Sequence, residues 1–374
     1  YLTQANRLPE VNLGGSATRL RYAGDLSTSG KGETDNLFSV PFDLRYEVDL
    51  WGRTKRSIEA AEAETESALS DYRSVMLSLQ ADVARNYFNL RAVDNEIALL
   101  EQTLTLLQEA LDLVKSQYEN GQVSRLSLAQ AETELVNTQA EAVGLHKQRG
   151  ELNNAIAVLI GEPASDFSLA PSPGELQPPV IASGLPSSLL ERRPDISAAE
   201  RQMAAASARI GVAKTAFFPS ISLTGNAGYA SNEIDSLFDW DNRTWGFGPA
   251  VYLPIFDAGR NSANLERAKL VYEEAIANYR QQVLVAFQEV ENGLQGLEHL
   301  QRQEELLQLA VDTAGDALEL SNKRYRSGYV SYLEVIDTQR TALQIARTLS
   351  RLQGQQMSTS ILLIKSLGGG WQAS

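Results

Sequence analysis

The chain repeats itself at a fixed distance of 207 residues. Gly52 is matched by Gly259 and Gly161 by Gly368, each 207 positions later. Two longer patterns keep the same offset, and they are Tyr118-x-x-Gly121-x-Val123-Ser124-x-Leu126 and Tyr325-x-x-Gly328-x-Val330-Ser331-x-Leu333. A constant offset held without a gap over about 110 residues indicates one supersecondary unit used twice.

The first copy contains a long coiled-coil seam. Steps of three and four residues alternate along it, and only Asn86 is polar. The positions are Leu69, Tyr72, Met76, Leu79, Val83, Asn86, Leu90, Val93, Ile97, Leu100, Leu104, Leu107, Leu111, Val114 and Tyr118. A 3.5-residue period over about seven heptads predicts a left-handed supercoil. Because no proline or glycine lies within 53–118, we expect one helix on the order of 100 Å long.

The second copy keeps this register with different side chains. Small and polar residues enter the seam at five positions, which are Ala286, Gly293, Glu304, Ala314 and Ser321. We therefore expect the two long helices to pack differently, although each needs a neighbouring helix to cover its apolar stripe.

Composition excludes several classes of function. The chain has 374 residues, a formal net charge of −14 and no cysteine. Its acidity, without a basic stripe, argues against a nucleic-acid partner. The lack of cysteine excludes disulfides and thiolate sites, and no apolar run is long enough for a transmembrane helix. The lone histidines His146 and His299 have no metal-ligand spacing. We predict no enzyme activity, catalytic residue, metal or cofactor.

Four segments alternate in polarity and are predicted to be strands: 11–24, 37–51, 219–230 and 245–257. The second is the clearest, because Phe42, Leu44 and Val48 share one face while Asp43 and Arg45 share the other. A soluble sandwich would bury the apolar face, whereas a membrane β-barrel would turn it to lipid. The pattern alone leaves both interpretations open.

Helices are predicted between and after the strands, at 53–118, 126–160, 194–217, 261–325 and 333–367. Six prolines between 161 and 193 indicate a connector between the two repeats. By the duplication, a first copy of helix 194–217 should precede residue 1, and we expect a signal peptide and any lipidated residue there as well.

Four strands cannot close a barrel, and an open sheet edge cannot face hydrocarbon. If the strands lie in a membrane, several chains must associate to close the sheet. The seam also requires neighbouring helices, so both halves predict an oligomer. A non-membrane coiled-coil scaffold with small sandwich caps remains an alternative.

Over nearly its whole length, the chain resembles the outer-membrane efflux channels of Gram-negative bacteria, the TolC family. The matching motifs, in addition to the two repeated turns, are Leu189-Leu190-Glu191-Arg192-Arg193-Pro194-Asp195-Ile196, Phe218-Pro219-Ser220-Ile221-Ser222-Leu223, Pro254-Ile255-Phe256-Asp257-Ala258-Gly259-Arg260 and Ser366-Leu367-Gly368-Gly369-Gly370-Trp371. The first of these resembles the branch that serves resistance-nodulation-division pumps.

The resemblance implies an α+β membrane protein that is a homotrimer. Residues 11–51 and 219–257 would supply four strands per chain to a 12-stranded β-barrel in outer-membrane lipid. Residues 52–160, 194–217 and 260–367 would form a periplasmic α-helical barrel. Segments 161–193 and 368–374 would form an equatorial connector around it. The expected localisation is the cell outer membrane, extending into the periplasm.

Two features of the far periplasmic end follow from the same resemblance. Glu334 and Asp337, three residues apart on one helix face, correspond to an acidic entrance gate, whereas the first repeat has Ser127 and Gln130 there. The docking surface for a periplasmic adaptor would be the two turns: Tyr118, Gly121, Val123, Ser124, Leu126, Tyr325, Gly328, Val330, Ser331 and Leu333. Helix capping by the glycines and solvated acids at a helix start are the alternative interpretations.

The function expected is that of a passive exit duct in a tripartite multidrug efflux pump, with a periplasmic adaptor and an inner-membrane pump as partners. The duct of a protein-secretion system is a second interpretation within this class.

Overall fold

The structure, a computed structural model, describes residues 2–21, 23, 34–179 and 192–369. The helices are α1 (Leu2–Ala5), α2 (Arg53–Glu119), α3 (Arg125–Ile160), α4 (Pro194–Thr215), α5 (Arg260–Arg326) and α6 (Tyr332–Ser366). The strands are β1 (Glu10–Leu13), β2 (Ser16–Arg21), β3 (Thr34–Val48), β4 (Ser220–Ser231) and β5 (Arg243–Tyr252). The chain divides into a sheet unit, within 1–70 and 197–282, and a helical unit, within 71–196 and 283–374.

The duplication predicted from the sequence is present in the backbone. Helices α2 and α5 each have 67 residues, and both begin and end 207 positions apart. Every boundary glycine of one copy has a positive φ that its partner shares, at 77° and 82° for Gly52 and Gly259, and at 73° and 77° for Gly121 and Gly328. Because only glycine adopts this conformation without strain, the same residues end the same elements in both repeats.

The sheet is antiparallel, with β3 and β4 at its centre and β5 at one edge. The other edge differs from the prediction of one strand over 11–24, because β1 and β2 both pair with β3. They share one register, since Leu13 lies opposite Phe42 and Ser16 lies opposite Ser39.

The interruption between β1 and β2 falls at Gly14-Gly15, opposite Pro41. Proline has no N–H to donate to the ladder, so the pairing lapses there. The Gly14 N–H still donates to the Pro41 carbonyl at 2.9 Å. The sheet therefore has four strand positions, as expected, and the first of them is broken in the middle.

The two faces of the sheet differ in chemistry across its middle rows. One row across the sheet consists of Leu13, Phe42, Ala227 and Trp245, and the neighbouring row consists of Asn12, Asp43, Asn226 and Gly246. Within the part of the chain that the structure describes, no layer covers the apolar face, and Phe42, Trp245 and Phe247 are 52%, 80% and 74% exposed. It is therefore not the core of a sandwich formed by this chain.

The seam of α2 is buried over only part of its length. From Leu90 to Val114 it forms the core of the helical unit, and Leu90, Leu100 and Val114 are each 0% exposed. From Leu69 to Leu79 the same pattern continues, but the side chains of Leu69, Tyr72, Met76 and Leu79 are 39–60% exposed.

Helix α5 buries fewer of its seam positions than α2: Ala286, Gly293, Leu300 and Ser321 are its buried residues, whereas α2 buries Leu90, Val93, Ile97, Leu100, Leu107 and Val114. A Cβ placed on Gly293 would lie 3.0 Å from Cδ1 of Leu363 in α6, so glycine permits the close approach of the two helices. Gly354 of α6 similarly approaches Ala92 of α2, at 2.7 Å for a constructed Cβ. The expectation that the two long helices pack differently is confirmed.

The connector residues 161–179 are attached to the helical unit through buried polar groups. The carboxylate of Asp94 accepts from Arg149 Nε at 2.6 Å and from the Ser172 N–H at 3.1 Å. Asn153 donates to the Phe167 carbonyl and accepts from the Leu169 N–H. These bonds satisfy backbone groups of a segment without regular structure.

Some sequence predictions lie outside the described residues. They concern part of the 25–36 loop, residues 180–191 with the start of the Leu189–Ile196 motif, and the tail from Gly370. Among the described helices, none combines the length and apolarity needed to cross a membrane.

Candidate functional site

The two repeated turns pack against each other at one end of the helical unit. Buried side chains from α2, α3 and α6 meet there, and they are Val114, Ala131, Tyr332, Val335 and Ile336. Half-buried residues of both turns join them, including Val123 and Tyr325. The hydroxyl of Tyr325 donates to Gln117 Oε1 at 2.7 Å, which connects α5 to α2.

The first turn ends α2 with a tight backbone hydrogen-bond pattern. The N–H of Gly121 donates to the Tyr118 carbonyl at 2.9 Å, and the next N–H donates to Gln117. Ser124 then caps α3, because its hydroxyl accepts from the Ser127 N–H. Tyr118 and Leu126 point outward and are 39% and 67% exposed.

The second turn has the same backbone and a different cap. The Gly328 N–H donates to Tyr325 and the Tyr329 N–H to Arg324, at 2.9 and 3.0 Å. Ser331 precedes α6 but its side chain makes no capping hydrogen bond. Val330 is half-buried, while Leu333 is 47% exposed.

Tyr332 is the most enclosed polar side chain of the tip. It is 4% exposed, its ring lies 5.4 Å from that of Tyr325, and its hydroxyl has no hydrogen-bond partner among the described residues. Burial, with the nearby Tyr325 and Glu134, raises the pKa of Tyr332 to about 12. The corresponding position in the first repeat is Arg125, so this group belongs to one repeat only.

The two predicted gate residues lie in the first turns of α6 and are not buried. Glu334 pairs with Arg324 of α5, with 3.0 Å between its Oε1 and the guanidinium Nη1. Asp337 is exposed one turn further on. The structure therefore gives Glu334 a basic partner that sequence reasoning had not identified.

A set of ion pairs between the repeats was also missed by sequence reasoning. Arg340 Nε donates to Glu134 at 2.6 Å, and Arg347 pairs with Glu141 one heptad further on. Arg347 and Arg351 both reach Glu96, whose side chain is 5% exposed. The partners are more than 200 positions apart along the chain, so no local pattern could have paired them.

Within the described residues, no group of three or more histidine and acidic side chains is placed to hold a metal ion. What the tip offers chemically is surface charge of both signs around a small apolar core. The acids lie in the first turns of α6, and Lys323, Arg324 and Arg326 lie in the last turn of α5.

The comparisons with known proteins agree with this architecture. The family model for outer membrane efflux proteins matches residues 1–162 and 185–369. The outer membrane protein OprJ of Pseudomonas aeruginosa is 34% identical over 374 residues, covering 99% of this chain and 78% of that protein. The cation efflux system protein CusC of Escherichia coli is also 34% identical, covering 99% of this chain and 80% of its own length.

A solved membrane protein of Pseudomonas aeruginosa has the same fold, with a TM-score of 0.92, 34% identity and coverage of 99% of this chain and 84% of that one. The predicted α+β fold class and the outer-membrane location with a periplasmic extension are confirmed, which removes the non-membrane scaffold as an interpretation. The duplication, the amphipathic sheet and the long helices together with these matches establish that the chain belongs to the outer membrane efflux protein family.

Proposed function

We propose that this chain is one third of a passive exit duct in a tripartite multidrug efflux pump. Three copies would bring four strand positions each to a 12-stranded β-barrel made from 11–51 and 219–257. Residues 52–160, 194–217 and 260–367 would form the periplasmic helical barrel, with 161–193 and 368–374 around its equator.

The observation that carries this proposal is the uncovered apolar face of the sheet. Phe42, Trp245 and Phe247 are at least half exposed on a face that no other layer of the described residues covers. Exposed apolar area of this kind is unfavourable in water and favourable in hydrocarbon. The edge strands β1–β2 and β5 lack an outer partner within the described chain, so lipid requires further copies.

The long helices support the same association. The exposed part of the seam, from Leu69 to Leu79, continues the heptad that is buried further along α2. Apolar heptad positions on a helix surface are covered by another helix in coiled coils. Neighbouring copies would provide that helix.

The gate would consist of Glu334 and Asp337. In a ring of three copies, these residues place six carboxylates near one constriction, which favours cations over anions and stores repulsion. The Arg324 pairing reduces the charge of Glu334 in the arrangement seen here. Opening would separate the α6 helices and increase the distance between the carboxylates.

The adaptor would dock on the outward residues of the two turns. Tyr118, Leu126 and Leu333 are available for contact, whereas Val123 and Tyr325 support the turns from inside. Gly121, Ser124, Gly328, Val330 and Ser331 would set the backbone shape presented to the adaptor. The inner-membrane pump would supply the energy.

The gate is tested by single-channel recording of the purified protein in planar bilayers. Glu334→Ala with Asp337→Ala removes the acidic ring and also the ion pair of Glu334 with Arg324 that joins α6 to α5. Because the loss of this ion pair releases the first turn of α6, we expect conductance to rise by at least about twofold. The matched control is Ser127→Ala with Gln130→Ala, the equivalent positions of the first repeat.

The control variant should conduct as the unmodified protein does. An unchanged conductance in the Glu334 and Asp337 variant, with normal insertion into the bilayer, would remove both residues from the gate. A protein that forms no pore under any condition would instead contradict the duct itself.

A further inference from the structure

The charged side chains of the strands are divided between the two faces of the sheet. Residues that lie opposite each other in neighbouring strands share a face, so the pairing assigns each strand residue to the apolar or the polar face. On the polar face of the described strands lie all of their acids and one base, which are Glu10, Asp35, Asp43, Glu47 and Arg45. On the apolar face the charged residues are all arginines, and they are Arg19, Arg21 and Arg243.

The three arginines lie at one end of the apolar face. Arg19 and Arg21 are in the last turn of chain before β2 ends, and Arg243 is the first residue of β5. This is the end at which β2 is connected to β3 and β4 to β5. At the other end, where the strands adjoin helices in the chain, the same face has an uncharged row of Val48, Ile221 and Val251.

The apolar rows between these ends match the height of a membrane. Phe38 and Val48, the outermost apolar residues of β3 on this face, are ten positions apart. Ten steps of ~3.4 Å in strands tilted by about 40° give a height of about 26 Å, close to the apolar band of membrane barrels. Arg19 and Arg21 lie beyond Phe38, and Arg243 can extend its charged group to the same level past its apolar stem.

The arginines lie on the two edges of the sheet, which meet when the barrel is closed. In the proposed trimer, β5 of one copy adjoins the β1–β2 edge of the next, so Arg243 lies on the strand beside Arg19 and Arg21 of the neighbouring copy. Arg243 is already held in place: its guanidinium carbon is 4.3 Å from the centre of the Trp240 ring, and its Nη1 donates to the Trp240 carbonyl at 2.6 Å. Stacking occupies a face of the guanidinium and leaves N–H groups at its edge.

We propose that Arg19, Arg21 and Arg243 bind the phosphate groups of lipopolysaccharide, the anionic glycolipid of the outer leaflet, with one site at each junction between copies. Guanidinium groups form bidentate, charge-assisted hydrogen bonds with phosphate oxygens. The acyl chains would lie against the apolar rows below, where Trp245 and Phe247 are exposed. The inference rests on the proposed function, because it takes the end of the sheet away from the helices as the extracellular end.

The test is the binding of lipid A, the phosphorylated membrane anchor of lipopolysaccharide, to the purified full chain in detergent. Lipid adducts are counted by native mass spectrometry over a titration, with dephosphorylated lipid A and phosphatidylglycerol as comparison lipids. The main variant is Arg19→Gln with Arg21→Gln. The matched control is Arg45→Gln, which removes the charge of an exposed arginine from the opposite face of the sheet.

We expect the Kd for lipid A to rise by about tenfold in the main variant and about threefold in Arg243→Gln, because charge-assisted hydrogen bonds are lost. Arg45→Gln should bind as the unmodified protein does, and dephosphorylated lipid A should not distinguish any of these proteins. If the main variant does not fold, Asn36→Glu is the second test. It places a carboxylate opposite Arg19, which should weaken lipid A binding by about tenfold through repulsion of the phosphate.

An unchanged Kd in the folded glutamine or glutamate variant would overturn the proposal, as would an equal loss in Arg45→Gln. Equal weakening of phosphatidylglycerol binding would also overturn it, because it would indicate general attraction to anionic lipid. Weakened lipid A binding in a chain that forms no pore in planar bilayers would contradict the proposed duct and leave the lipid site intact. Normal pores with unchanged lipid A binding would contradict only the lipid site.

Discussion

The two repeats share a backbone and differ in the side chains that define function. Helices α2 and α5 have equal length, and their boundary glycines have the same conformation. The first repeat has a continuous apolar seam and the acids of the ion pairs between the repeats. The second repeat has small seam residues, the arginines of those ion pairs and the acids of the proposed gate. The shared backbone thus requires glycine at a few boundary positions. Other positions can differ between the repeats, so that a side chain of one repeat can pair with a side chain of the other.

In a chain of two identical first repeats, Thr133, Ala140 and Gly144 would stand in place of the three arginines, and the ion pairs between the repeats would not form. The divergence supplies these ion pairs and so favours the pairing of unlike repeats. It also places the acids of the proposed gate in one hairpin only, so that opening would involve one repeat while the other remains in place.

The largest expected change in the free energy of unfolding concerns a seam position that is apolar in the first repeat and polar in the second. Val114 is 0% exposed, and its equivalent Ser321 is 3% exposed with a hydroxyl that has no partner among the described residues. Val114→Ser should reduce the free energy of unfolding by about 2–3 kcal/mol, through lost apolar contact and a buried hydroxyl. Ser321→Ala should leave it unchanged or raise it by up to about 1 kcal/mol.

Both variants are measured by urea unfolding of the detergent-solubilised protein, monitored by circular dichroism. Equal losses in the two variants would mean that the repeats pack alike at this position, contrary to the structure.

A smaller change in stability, dependent on pH, is expected from Tyr332, whose equivalent in the first repeat is Arg125. Its pKa is raised to about 12 in the folded state, so it keeps its proton where an unfolded tyrosine has lost it. The protonated Tyr332 therefore contributes on the order of 2 kcal/mol to the free energy of unfolding. This stability is fully present below pH 10 and is lost as the pH rises from about 10 to 12.

Tyr332→Phe should remove that part of the pH dependence and change stability little at pH 8, since the hydroxyl has no partner to lose. The two proteins are compared by chemical unfolding at pH 8, 10 and 11. Parallel losses of stability in both would show that other groups, and not Tyr332, are responsible.

Much of the fold could be predicted because it depends on local chemistry. The long helices α2 and α5 have a glycine near each end and contain no proline. Their bounds were therefore predicted to within about two residues. The alternating strands were recognised for the same reason. The break at Gly14-Gly15 could not be predicted, because it depends on Pro41 of a different strand.

The candidate site was predicted less completely, since its contacts join distant parts of the chain. The resemblance assigns Val123 and Tyr325 to the docking turns, and the sequence did not show that both are half-buried against the apolar cluster of the tip. The pairing of Glu334 with Arg324 depends on the fold of the turn. A comparison of the two repeats at the 207-residue offset shows acids in the first repeat and arginines in the second. It indicates that the repeats are complementary in charge, but it does not show which acid pairs with which arginine.

The central claim is that one chain provides an incomplete sheet, which three copies close. The chain has no cysteine, so introduced pairs can be placed without background. Asn12 of β1 lies on the polar face of the sheet. Gly248, Ala250 and Tyr252 of β5 lie on the same face, and Tyr252 is opposite Ser220 of β4. Each of Gly248→Cys, Ala250→Cys and Tyr252→Cys is combined with Asn12→Cys.

Neighbouring antiparallel strands bring Cβ atoms within disulfide distance at one of these registers. After oxidation of outer-membrane fractions, the account predicts a covalent trimer for at least one pair and no species larger than a dimer for Asn12→Cys alone. Folded, membrane-inserted protein that stays monomeric with all three pairs, or that links into an open series of larger multimers, would contradict it.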